Sequence, residues 1–191
     1  MNHVAQFSTL RTAIEHLDAT RRELQGLSAN AQRLSKQAIF SLQRGDAARA
    51  TDLLNEADVL YKQGDVLVKK EPRLHAEGIW RASLEENAEA RFFERAIQGR
   101  SLFAGRQLKE EPDIVLGGLS DCVGELVRQA TLAATSHDAK RVEMLYAIGL
   151  EIVDFLTSLD LTGPLRSKGD QARSHLRRFE EIRYDLSLRS Y

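Results

Sequence analysis

The chain has 191 residues, 42% hydrophobic and 29% charged, with a formal net charge of −1. That length is enough for a substantial core and suggests one domain over 1–191. The near-zero charge excludes nucleic-acid binding by bulk charge and leaves only local basic patches, while the single cysteine, Cys122, excludes a disulfide framework and a multi-cysteine metal site.

The first helix is predicted over 3–44. Leu10, Ile14, Leu17, Leu24, Ala31, Leu34, Ala38 and Leu42 recur at spacings of three, four and seven, marking an apolar stripe. Arg11, Arg22, Arg33 and Arg44 recur every eleven residues, close to three helical turns, and so line one side, with Lys36 near them and Arg21 beside Arg22. Such a row suits a phosphate backbone, although the pattern alone favours a solvated outer face paired with acids. Gly45 ends this helix and Asp46 can cap the next, predicted over 47–70 with Leu53, Leu54, Ala57, Leu60, Tyr61 and Val68 inward.

Pro72 breaks the chain, and a third long helix is predicted over 73–103. It carries Glu86 and Glu89, three apart and therefore on one face, together with Arg81, Arg91, Arg95 and Arg100. After LKEEPD, with Asp113 as the expected cap, a fourth helix is predicted over 113–136. It carries Asp121 and Glu125, four apart, with Gly124 between them. The two acidic helices are expected to be antiparallel neighbours. A fifth helix over 138–160, a loop DLTGPLRSKG and a last helix over 166–189 complete the chain. No strand pattern and no internal repeat appears, so the fold expected is an all-α bundle of six to seven long antiparallel helices. No apolar run reaches the ~20 residues of a membrane span and the N-terminus has no signal-peptide pattern, which fits a cytoplasmic setting.

Four converging carboxylates cannot all ionise without compensation. Hard divalent cations prefer oxygen ligands, and no histidine stands where a di-iron bundle needs one, so the set suits Mg²⁺ or Mn²⁺. The same acids would also fit a solvated face paired with Arg81 or Arg91. The stretch EENAE, residues 85–89, matches the E-E-x-x-E of all-α nucleotide pyrophosphohydrolases, although their second element is E-x-x-D and here it is Asp121-x-x-x-Glu125.

The closing RRFEEIRYDLSLRSY resembles the last helix of the translin family, matched by Phe179-Glu180-Glu181 and by Tyr184-Asp185-Leu186-Ser187-Leu188-Arg189, with Ser190 where that family has Gly. LSKQAIFSLQR (34–44) and TGPLRS are similar to its first helix and last loop. The run from Asp113 to Leu126 is similar, without a gap, to the fourth helix of the Trax (translin-associated factor X) branch, and Glu86-Asn87-Ala88-Glu89-Ala90 to its third. Trp80-Arg81 looks like a pair of the translin branch, where the basic residue contributes to nucleic-acid binding.

The resemblance is closest to the Trax catalytic branch, in its archaeal or bacterial form. It implies a homo-oligomeric shell, an octamer in those relatives, holding RNA or single-stranded DNA. Glu86, Glu89, Asp121 and Glu125 would be both catalytic and metal-binding, holding Mg²⁺ or Mn²⁺ for a hydrolase that cuts mainly single-stranded RNA by a metal-activated water. Arg11, Arg21, Arg22, Arg33, Lys36, Arg44, Arg81, Arg91 and Arg95 would bind the RNA. A translin-like shell that binds without cutting, or the pyrophosphohydrolase, are the alternatives.

Overall fold

A computed structural model describes residues 3–104 and 110–188. Arg189 and Ser190 of the closing motif lie outside the described residues. Within them there are six α-helices and no strand: α1 (Val4–Gln43), α2 (Ala47–Lys70), α3 (Gly78–Ile97), α4 (Pro112–Thr135), α5 (Ala139–Thr157) and α6 (Gly163–Leu188). None is long and apolar enough to cross a membrane.

Local chemistry sets the boundaries. Asp46 and Asp138 cap α2 and α5, each accepting at 3.0 Å from the main-chain N–H three residues on. The third helix is shorter than the 73–103 expected. Pro72 opens a separate 3-10 turn, Pro72–Ala76, and extended Glu77 divides it from α3. At the far end Gly99 takes φ +65°. The N–H of Arg100 then reaches the carbonyl of Arg95 at 3.0 Å and that of Gly99 reaches Ala96 at 3.1 Å, a glycine stop that ends the helix. Asp113 is not the cap of α4. Glu111 holds that position without a side-chain capping bond, and Asp113 sits in the first turn facing Arg81. The helix expected from 166 begins at Gly163, because Pro164 in its first turn needs no N–H partner.

The core is one cluster drawn from all six helices, with Trp80, Tyr61, Phe92, Phe93 and Phe179 fully buried. The apolar stripe of α1 is buried only from Leu17 onward; Leu10 and Ile14 are 62% and 49% exposed. Leu60 and Val68 pack at the core margin.

The short links make α1 and α2 antiparallel, and α4 and α5 likewise. α3 and α4 are the exception to the expected antiparallel arrangement. Arg81 meets Asp113, and Gly118 meets Ala88 and Glu89, so residue numbers rise together along both helices. The chain after α3 turns back along it, where Phe103 stands edge-on to Phe92 at 5.6 Å. Glu111, at the start of α4, again lies beside Arg81 near the start of α3. α1 packs on α3, and α6 on α4, so these two acidic helices lie between α1 and α6.

Candidate carboxylate site and basic face

Gly118 brings α3 and α4 together. A Cβ there would lie 2.7 Å from the Ala88 Cβ and 2.8 Å from the Glu89 main-chain nitrogen, so only glycine permits this approach. Helical spacing then does the rest. Glu86 and Glu89 ascend α3 while Asp121 and Glu125 ascend α4, and the two pairs act on each other.

The electrostatics record this convergence. The Glu89 carboxyl is pushed up to about 8, first by burial and then by the charges of Glu86, Asp121 and Glu125, with Lys168 opposing. Glu86 is also raised, by burial and more weakly by Asp121, against the pull of Lys36. The fully buried Cys122 thiol is pushed well up by burial and then by Glu89, Glu125 and Asp121.

Neighbours on both sides hold three of the four acids. From α1, Gln32 donates to Glu86 at 3.5 Å and Lys36 approaches it at 3.6 Å. Gln43 donates to the Glu125 carboxylate at 2.6 Å and to its main-chain carbonyl at 3.0 Å. The Gln43 side-chain oxygen is buried with no partner. From α6, Lys168 bridges Asp121 and, at 3.0 Å, Glu85. Gly124 makes room for α6: a Cβ there would stand 3.1 Å from Nε2 of His175. No three His, Cys, Asp or Glu side chains among the described residues form a ready metal-ligating group.

Gln32, Gln43, Lys168 and His175 are the contacts that sequence reasoning missed. Gln32, Lys36 and Gln43 do carry a signal, since they share one face of α1 at spacings of four and seven. Lys168 carries none, standing where the expected loop DLTGPLRSKG overlaps the start of the last helix.

The nine expected basic residues divide into two groups. Arg11, Arg22, Arg33, Lys36 and Arg44 are exposed along α1. Of these, Lys36 also approaches Glu86 at 3.6 Å. The other four of the nine are engaged within the protein. Arg21 bonds Glu77 and Asp18, both at 2.8 Å. Arg81 clamps Glu111 at 2.6 Å and Asp113, tying α3 to the start of α4. Arg91 joins Asp58 at 2.8 Å, the Leu54 carbonyl at 3.2 Å and Glu94 at 3.3 Å. Arg95 donates to the Ser101 carbonyl at 3.1 Å, steadying the chain after α3. Trp80, beside Arg81, is a core residue.

Comparison with known proteins adds three findings. A Translin family model matches residues 111–190. A structure of AfC3PO in complex with duplex RNA superposes with a TM-score of 0.88 at 24% identity, covering 96% of this chain and 97% of that one. The crystal structure of apo-NeC3PO superposes with a TM-score of 0.87 at 20% identity, covering 97% and 100%. The fold is therefore that of the C3PO structures. No curated protein matches the chain.

Proposed function

We propose that the chain is a translin-family, metal-dependent endoribonuclease of the Trax kind, which binds RNA along α1 and hydrolyses it at Glu86, Glu89, Asp121 and Glu125. The observation that carries this reading is the approach of the two acidic pairs in a half-buried place, where Glu89 is pushed up to about 8, first by burial and then by the charges of Glu86, Asp121 and Glu125. Structural reasons alone do not favour such a cluster, because buried like charges are destabilising. The fold shared with a protein bound to duplex RNA supports the choice of substrate.

The donor set fits a hard cation. It offers carboxylate oxygens only, and it carries more negative charge than Lys36 and Lys168 balance. Glu86 and Glu89 from α3 with Asp121 and Glu125 from α4 would hold Mg²⁺ or Mn²⁺. When bound, the ion supplies Lewis acidity toward the phosphodiester and its attacking water. Gln43 keeps Glu125 in place from α1. Lys168 balances Asp121 from α6. The exposed arginines of α1 hold the RNA by its backbone, with little sequence preference. Hydrolysis adds water across one P–O bond, leaving a phosphomonoester and a free hydroxyl.

The uncovered apolar row at the start of α1, which includes Val4, Phe7, Leu10 and Ile14, supports assembly with further copies of the chain. The octamer belongs to this reading. A second reading, RNA binding without cleavage, draws on the ties of Asp121 to Lys168 and of Glu125 to Gln43, and on the lack of a ready metal group among the described residues.

The test is cleavage of a single-stranded RNA in Mg²⁺, in Mn²⁺ and in EDTA, with particle mass measured in parallel. Cleavage that stops in EDTA and in Glu125→Ala is the expected result. Binding without turnover in either metal would establish the second reading. Release of pyrophosphate from free nucleoside triphosphates, with RNA left intact, would overturn both.

A further inference from the structure

Phe40 is a large apolar side chain 53% exposed on α1, and its position is specific. It stands seven residues after Arg33 and four before Arg44, so it belongs to the same side of the helix as the arginine row. Arg128 lies over its ring, 5.6 Å from the centroid, within cation–π range. Arg128 follows Glu125 by three residues and Asp121 by seven, which puts it on the carboxylate-bearing face of α4. Phe40 also lines a pocket of about 280 Å³, with Gln37, Ser41, Arg44, Arg49 and Leu53. Neither Arg44 nor Arg128 has a carboxylate partner among the described residues.

We infer that Phe40 and Arg128 form a subsite for one unpaired nucleotide of RNA, where the base stacks on the Phe40 ring and Arg128 takes the adjoining phosphate, next to the carboxylate site. This inference rests on the RNA reading above and sharpens it to strands with an unstacked base. A phenyl face accepts any base, so the subsite distinguishes unpaired from paired RNA and not one sequence from another. A duplex keeps its bases stacked on one another and offers only its backbone and grooves to the arginine row. The bridging position of Phe40, between that row on α1 and the acidic face of α4, makes it the step by which a strand bound along α1 enters the site. A base drawn onto the ring would replace the Arg128 guanidinium there, freeing that cation for the phosphate.

The experiment uses the full chain in EDTA, so that RNA stays intact, with a short single-stranded RNA carrying one 2-aminopurine and with a duplex of the same length. The wild type should quench the probe on binding. Phe40→Ala should weaken single-strand binding about ten-fold and abolish the quench, while Phe40→Trp keeps both. Duplex affinity should change less than about two-fold in either variant, since backbone contacts carry it. Arg128→Gln should lower the salt slope of single-strand binding by about one. If the wild type binds no RNA, the RNA reading itself fails. If the wild type binds and Phe40→Ala binds equally well, only the subsite fails. A change in particle mass on Phe40→Ala would make this face a contact between copies of the chain and would also overturn the subsite.

Discussion

Gln43 on α1 holds Glu125 on α4 by two hydrogen bonds from one amide nitrogen, at 2.6 Å to the carboxylate and 3.0 Å to the main-chain carbonyl. The two residues are 82 apart in sequence, and this contact makes α1 a third wall of the carboxylate site. Gln43 is nine-tenths buried, so its loss leaves the half-buried Glu125 short of a donor.

Gln43→Leu removes that donor at nearly constant volume. It should destabilise the protein by about 1.5–3 kcal/mol, the usual range for a buried hydrogen bond to a charged group. It should also lower RNA cleavage more than RNA binding, because Glu125 loses its orientation while the arginine row is untouched. Chemical denaturation gives the first number, and a comparison of kcat with KM gives the second.

Glu89 makes stability depend on pH. Its carboxyl titrates near 8 in the folded chain against an ordinary 4.5, so the folded state favours the protonated form. The stability gained from neutral Glu89 is fully present below about 4.5 and is lost as pH rises through about 8. In EDTA the melting temperature of the wild type should therefore fall, relative to Glu89→Gln, across that window. A pH-independent difference between the two would mean that the Glu89 carboxyl is not raised by burial and its acidic neighbours.

Gly118→Ala tests the approach of the two acidic helices. The added methyl meets the Ala88 Cβ and the Glu89 main chain, and neither can turn aside. Overpacking of this kind costs about 1–3 kcal/mol. The paired effect, a lower pKa for Glu89 as the helices part, should appear as a flatter pH dependence of melting.

Replacing Arg22 and Arg33 together with Gln removes two exposed charges of the α1 row without touching an internal contact to an acid. RNA affinity should fall, and the slope of log K against log salt should flatten by about two. Fold stability should move by less than about 0.5 kcal/mol, as for most surface changes. Unchanged RNA binding would move the cradle off α1.

The acidic pairs were legible in the sequence because helical periodicity is local: residues three or four apart share a face wherever the helix lies. The helices themselves were legible for the same reason, along with the caps at Asp46 and the stop at Gly45. The early end of α3 was also written locally, in Gly99, but a continuing apolar pattern obscured it. What lay beyond reach was non-local. Whether Glu86 and Glu89 meet Asp121 and Glu125 depends on the chain turning back after α3, which sets α3 and α4 side by side in the same direction, and on Gly118 allowing close contact. The same holds for the cations. Arg21, Arg81 and Arg91 look like Arg22 and Arg33 in the sequence, yet acids from distant segments engage the first three and leave the others facing solvent. Lys168 and Gln43 join the site only through packing of α6 and α1 against the acidic helices. The sequence by itself therefore determined the helices and the acidic faces, since both follow from spacing along the chain. Only the tertiary structure decided which faces meet and which charges stay unpaired, since Coulomb forces and burial act through space.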